Sequence, residues 1–161
     1  LFGGLDTVAS SLGFFARFLA ENPAHRHQMI GNPQRIMPAI DELLRRFGIP
    51  QTARVITHDF DYNGVQFKAG EQVMLPKVLH GLDERKYADP LTVDFARHSR
   101  DNSAFGAGPH RCAGANLAKM EIRVFLEEWL RRIPDFSIKL GEKPITSSGA
   151  VNGMLYLPLV W

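Results

Sequence analysis

Ten consecutive residues, Phe105-Gly106-Ala107-Gly108-Pro109-His110-Arg111-Cys112-Ala113-Gly114, constrain this chain more than any other stretch, because they hold its only cysteine. A helical apolar pattern starts just after Cys112, which places the sulfur near a helix N-terminus. Unpaired backbone N–H groups and the positive end of the helix dipole favour a thiolate there. Glycines at 106, 108 and 114 lack a Cβ and let the backbone pass close to something flat. His110 and Arg111 add cationic or donor groups beside the sulfur. A lone cysteine is most often a small buried apolar residue. The glycine spacing around this one points instead to a thiolate offered to one metal from one side, a ligand that haem iron accepts.

Composition narrows the alternatives. With 161 residues, 45% of them hydrophobic, the chain can bury a core as a single domain. One cysteine excludes an internal disulfide and fits a reducing compartment, most simply the cytoplasm. A formal charge of +2 is too small to argue for nucleic acid or an anionic membrane as a partner. Histidines 25, 27, 58, 80, 98 and 110 are scattered without the paired spacing of a zinc site. The chain opens Leu1-Phe2-Gly3-Gly4, without an initiator Met and inside a helical pattern. Asp6 and Arg17 interrupt that apolar stretch, no basic region precedes it, and no run reaches the length of a membrane span. A piece of a longer chain is the expectation.

The apolar positions Val8, Leu12, Phe15, Phe18 and Leu19 predict a helix over residues 1–21. Asn22-Pro23 supplies an N-cap and a first-turn Pro for a short helix to about Ile30. Gly31-Asn32-Pro33 breaks it, Pro38 opens another helix to about Phe47, and Gly48-Ile49-Pro50 stops that one. Then the character changes. Arg54–Thr57 is β-branched, Phe60–Phe67 reads as a hairpin around Asn63-Gly64, and Val73–Leu75 as a third strand. Residues 83–111 form a long polar stretch with little periodicity, which inside a compact domain is usually functional. The strongest helix runs from about Ala115 to Ile133, with Ala118, Ile122, Phe125, Leu126, Trp129 and Ile133 on one stripe. Phe136–Ile138 and Leu155–Trp161 read as closing strands. The class is mainly α with small β-sheets.

Two further constellations carry chemistry. Gly3-Gly4-Leu5-Asp6-Thr7 puts two glycines inside a helix, each costing about 1 kcal/mol relative to Ala. Thr7 can bond back to the carbonyl four residues earlier and open the helix locally. Such a groove, lined by a hydroxyl and a carboxylate, gives dioxygen room and a proton route; close helix packing at the glycines is the plainer reading. Glu42-Leu43-Leu44-Arg45 sets opposite charges three residues apart, a spacing worth only a few tenths of a kcal/mol on a helix surface.

The spacing Phe-Gly-x-Gly-x-His-x-Cys-x-Gly over residues 105–114 resembles the haem-binding loop of the cytochrome P-450 family. Gly-Gly-x-Asp-Thr resembles that family's oxygen-activating segment, and Glu42-x-x-Arg45 its structural element behind the haem. Leu43–Phe47, Gly81–Arg85, Glu128–Leu130, Arg132–Ile138 and Leu157–Trp161 are similar to the bacterial camphor-hydroxylase group, in one register over essentially the whole chain. The resemblance implies the C-terminal portion of the P-450 fold, with residues 1–161 the haem-binding part of a single domain whose N-terminal part is missing. It implies haem b as cofactor, Cys112 as the axial ligand of its iron, and Phe105, Gly106, Gly114 and Gly3 around it. Arg54 and His110 become candidates for the haem propionates, since Arg offers a fork of donors matched to carboxylate. Thr7 would steady the activated dioxygen by hydrogen bonding and Asp6 would relay protons.

Glu42 and Arg45 become a buried clasp under the same resemblance. The family completes that clasp with an Arg from Pro-x-Arg-Phe; here Pro90-Leu91-Thr92-Val93 puts Thr92 in its place and leaves the third partner open, although Asp94-Phe95-x-Arg97 follows the bacterial pattern. Glu121 is expected in a structural ion pair. Phe2, Pro50, Ala150 and Val151 fall at the substrate pocket, where the first three depart from the camphor pattern and Val151 keeps it. The implied activity is insertion of one oxygen atom from dioxygen into a C–H bond of a small apolar, terpenoid-like substrate. Electrons would come from an iron–sulfur ferredoxin with its NADH-dependent reductase, docking on Arg111, Lys119 and Arg123. The protein is expected to be a cytoplasmic monomer that needs its N-terminal part to act, the fragment alone being inactive. The alternatives are a haem-thiolate peroxygenase or isomerase and a non-catalytic haem-binding fragment or sensor.

Overall fold

The computed structural model describes residues 2–161, with Phe2 described by its backbone alone. Leu1 and the Phe2 side chain, and with it the pocket assignment of Phe2, lie outside the described residues. Helix α1 (Phe2–Glu21) is followed by α2 (Pro23–Gly31), a 3-10 turn at Pro33–Arg35, and α3 (Ile36–Arg46). Strands β1 (Gln51–Val55), β2 (Phe60–Tyr62), β3 (Val65–Phe67) and β4 (Gln72–Pro76) lead into the one-turn helix α4 (Lys77–Gly81). After a long irregular stretch, a 3-10 turn at Gly108–His110 precedes α5 (Ala115–Arg132), and β5 (Ser137–Ile138), β6 (Ile145–Ser147), β7 (Gly153–Tyr156) and β8 (Leu159–Val160) end the chain.

The helices hold the core. Phe15 and Leu19 of α1, Met29 of α2, Ile40 and Leu43 of α3, and Ile122, Leu126 and Leu130 of α5 pack into one buried cluster with Phe136. Those positions recur at three- and four-residue spacing, so each helix turns one apolar stripe inward. Phe125, Trp129 and Ile133 pack partly buried against it, as their places on the stripe predict. The strands do something smaller. They pair as four separate antiparallel ribbons, β1 with β4, β2 with β3, β5 with β8 and β6 with β7. The β2–β3 turn has Asn63 and Gly64 at φ 51° and 81°, the left-handed pair that a two-residue hairpin needs.

Local details differ from expectation in instructive ways. Asn22 does not cap α2 with its side chain, which instead donates backward to Phe18 O at 2.8 Å. The α2 N–H groups of His25 and Arg26 are served by the Asn22 carbonyl. Helix α3 begins at Ile36, ahead of Pro38, because Asn32 turns the chain by accepting from Gln34 N and launches the 3-10 turn early. Pro38 then sits in the first turn, where a missing N–H costs nothing. Strand β1 starts at Gln51, not Arg54, in register with β4. Strand β6 has no counterpart in the sequence reading.

Candidate functional site

The cysteine loop is closed by its own backbone. Cys112 N–H donates to Phe105 O at 2.9 Å, and Gly106 and Gly108 adopt φ of 72° and 67°, which only glycine takes readily. Helix α5 begins three residues beyond Cys112, and Gly114 is its N-cap. The thiol is therefore exposed beside an open helix N-terminus. A Cβ on Gly114 would stand 3.9 Å from Cys112 Sγ, partly filling the space beside the sulfur.

Opposite the loop lies the start of α1. Thr7 Oγ1 donates to Gly3 O at 2.7 Å, the back-bond expected from the sequence. A Cβ on Gly3 or Gly4 would meet nothing within 4 Å among the described residues, so this face of the helix is open there. That face and the cysteine loop enclose one cavity of about 450 Å³. Gly3, Thr7, Pro50, Phe105, Cys112 and Gly114 all line it, within walls formed chiefly by apolar side chains such as Val8, Leu44 and Ile122. A single sulfur facing apolar walls suits a flat, largely apolar cofactor held through one axial bond.

Other expected residues fall outside that lining. Asp6 is exposed and does not line the cavity, so the described residues do not bring it together with Cys112. Arg54 and His110 are exposed as well; Arg54 Nη1 donates to its neighbour's carbonyl, Ala53 O, at 2.8 Å. Gly106 borders the cavity through its contact with Lys77, whose Nζ would be 3.6 Å from a Cβ placed there. Ala150 and Val151 run beside the wall residue Pro50: Gln51 N donates to Ala150 O at 2.8 Å, and Val151 bridges Pro50.

The clasp is built as a network. Arg45 Nε and Nη2 each reach a Glu42 oxygen at 2.7 Å, and both side chains are fully buried. Ser99 Oγ donates to Glu42 Oε2, Asp94 N–H donates to Oε1 at 3.1 Å, and Arg97 Nε reaches the same Oε1 at 3.3 Å. Arg97 is thus the third partner. Thr92 contributes only its carbonyl, which accepts from Arg45 Nη2 at 3.2 Å, alongside Pro90 O at 2.8 Å and Gly81 O. Burial alone would push the Glu42 carboxyl up, but donors from Arg45, Ser99 and Asp94, with the Arg45 charge, hold it below the usual carboxylate range.

Two expectations are corrected here. Glu121 forms no ion pair among the described residues; it is exposed and lines the cavity. The basic patch is largely spoken for. Lys119 Nζ lies 2.5 Å from Asp41 Oδ1 and 5.9 Å from the Phe105 ring centre, tying α5 to α3 behind the cysteine loop. Arg123 pairs with Glu127 at 2.7 Å, which leaves Arg111 as the exposed cation of the three. Sequence reasoning also passed over Lys77, among the described residues the one cationic side chain on the cavity wall, because a single lysine in the run Leu75-Pro76-Lys77-Val78-Leu79 belongs to no motif.

Comparison with known proteins agrees with this geometry. The family model described as Cytochrome P450 matches residues 1–156. A relative named "Probable cytochrome P450 127A1", from Sinorhizobium fredii (strain NBRC 101917 / NGR234), is 43% identical over 161 residues, covering 100% of this chain and 39% of that protein. "20-oxo-5-O-mycaminosyltylactone 23-monooxygenase" from Streptomyces fradiae is 32% identical, again over 100% of this chain and 39% of the relative. Among solved structures, cytochrome P450 CYP101C1 superposes with a TM-score of 0.94 at 40% identity, covering 99% of this chain and 41% of that one. The chain therefore spans about two fifths of the length of the relatives it matches. On the extent of the family match, this chain belongs to the cytochrome P450 family.

Proposed function

We propose that these residues are the C-terminal, haem-binding part of a longer monooxygenase chain, with Cys112 as the thiolate ligand. One observation carries the reading: Cys112 and Thr7, 105 residues apart in sequence, line a single apolar cavity. Haem b, the cofactor of this family, supplies when bound the redox chemistry that activates dioxygen and inserts one of its atoms into a C–H bond.

The chain's own residues divide the remaining work. Cys112 sits just ahead of α5, its main chain held in place by the Phe105 carbonyl, and would offer its sulfur to the iron. Phe105 and the apolar wall would shield the sulfur from water once the cofactor covers it. Thr7 Oγ1 holds its proton toward Gly3 O, and can turn it to a ligand on the cavity side without unfolding the helix. Asp6, one residue before it and open to water, delivers protons from solvent. Arg54 and His110, exposed outside the lining, would hold the haem propionates, and Pro50, with Ala150 and Val151 beside it, would shape the substrate end. The walls suit a small apolar, terpenoid-like substrate, and electrons would come from an iron–sulfur ferredoxin and its NADH-dependent reductase. The names of relatives support the reaction class, since one is a monooxygenase.

The test is spectroscopic. The full-length protein, reduced under carbon monoxide, is expected to show the strongly red-shifted Soret band of a thiolate-ligated carbonyl. Cys112→Ala should abolish it. A band that survives that substitution overturns the assignment of the ligand.

A further inference from the structure

Lys77 opens α4 immediately after β4, and its side chain lines the cavity that holds Cys112 and Thr7. Its nitrogen lies against the cysteine loop at Gly106. Its described hydrogen bond is made by the main chain, whose carbonyl accepts from Ser103 Oγ at 3.4 Å. The ammonium itself is left facing the cavity. Burial pulls its pKa down; the Cys112 thiolate opposes that, and the Arg54 guanidinium, on the strand paired with β4, adds to it. Two cations are thus held close enough to repel one another at the rim of a mostly apolar cavity. Buried or half-buried cations without an acid are costly, and normally find one.

We propose that Lys77 Nζ grips a propionate carboxylate of the haem, together with Arg54, and so locks the cofactor's rotation about the Cys112 bond. The proposal rests on the haem-thiolate reading above. It makes Lys77 the cation inside the cavity and Arg54 the one outside it, with the carboxylate between them. The contact would be a charge-assisted hydrogen bond, stronger than a neutral one and directional enough to set the cofactor's orientation. No bond is made or broken, and Lys77 takes no part in the oxygen chemistry.

The experiment compares haem with its dimethyl ester, in which both propionates are uncharged. Each is loaded into full-length protein, and its release to an excess of apomyoglobin is timed. The wild type should lose the ester about tenfold faster than haem, a difference of ~1.4 kcal/mol. In Lys77→Met that ratio should shrink toward unity, because haem itself leaves faster while the ester is unaffected. Lys77→Arg should restore the ratio. Should Lys77→Met fail to fold, Lys77→Gln serves in its place, and the wild-type ratio still stands as a test. A wild-type ratio near one overturns the proposal. So does a Lys77 variant that keeps the wild-type ratio, including one that speeds the release of haem and ester by the same factor, the mark of a merely structural lysine. The carbonyl spectrum separates this failure from that of the parent reading: a red-shifted band with an unchanged ratio sinks only the lysine contact, whereas a missing band sinks the thiolate.

Discussion

Arg97 Nε stands 3.3 Å from Glu42 Oε1, the oxygen that Arg45 Nη2 holds at 2.7 Å. One buried carboxylate therefore serves two guanidinium groups, and the cation that Thr92 does not supply arrives five residues later. The two arginines are not equivalent. Arg45 is fully buried, whereas Arg97 keeps some contact with water.

Graded losses should follow from that difference. Arg45→Ala removes the bidentate partner of a fully buried carboxylate and leaves it only the longer Arg97 contact, at a cost of about 3–5 kcal/mol. Arg97→Ala removes one charged hydrogen bond and should cost about 1.5–3 kcal/mol. Denaturant unfolding of the full-length protein and the yield of haem-loaded material measure both. Equal, small effects would mean that the clasp is no more than a surface pair.

Acid should find the same weak point. The Glu42 carboxyl binds its proton less readily folded than unfolded, since its donors favour the charged form. Its contribution to stability is therefore complete above the ordinary carboxylate value of about 4.3 and is lost as pH falls through the lowered folded value. Denaturant midpoints measured from pH 7 downward should drop in the wild type below about pH 4. In Glu42→Gln they should start lower and fall less steeply over that range.

Gly81 offers a test of packing rather than charge. A Cβ there would stand 2.0 Å from Arg45 O, backbone against backbone, so neither side can swing away. Gly81→Ala should destabilise by about 3 kcal/mol, the upper end of ordinary overpacking. It should also disturb Arg45, whose Nη1 donates to Gly81 O. Thermal unfolding reads the first effect, and haem content the second.

Oxygen activation is tested at Thr7. Thr7→Ala keeps helix propensity and deletes the hydroxyl that reaches Gly3 O. NADH oxidation should continue while product falls by up to about a hundredfold, as for loss of a positioned proton donor, and hydrogen peroxide rises. Asp6→Asn should instead slow NADH oxidation itself. Tight coupling retained in Thr7→Ala would make the hydroxyl structural.

Cys112→His exchanges a thiolate for a neutral imidazole at the same place. Haem should remain bound, the carbonyl band should lose its red shift, and oxygen insertion should cease because imidazole donates less electron density.

What could be read from the residues depended on the kind of signal. The helices were legible because Phe15, Leu19, Ile40, Leu43, Ile122 and Leu126 repeat at helical spacing and bury as one set. The hairpin was legible because Asn63-Gly64 is a chemical requirement of its turn. Cys112 was legible through its glycines. Strand β6 was not, since Ile145–Ser147 has three residues, all exposed, and owes its pairing to β7 rather than to its own pattern. The clasp's full membership was hidden for a different reason. Gly81, Pro90 and Thr92 contribute carbonyls, a group every residue carries and no sequence advertises. Lys77 escaped because its meaning lies in the cavity it faces.

The clasp also divides the chain into parts that can and cannot be exchanged between relatives. Glu42 and Arg45 lie on α3, but their partners come from Gly81 through Ser99, and Asn102 reaches back to Asp41 O at 3.1 Å. The stretch from 41 to 102 is thus one inheritance unit, although it runs through helix, ribbon and irregular loop. A recombination joint inside it would ask two foreign halves to meet around one buried carboxylate. A joint in the exposed β2–β3 turn would look harmless from its surroundings and would still cut through that unit, because the ends it separates are joined elsewhere.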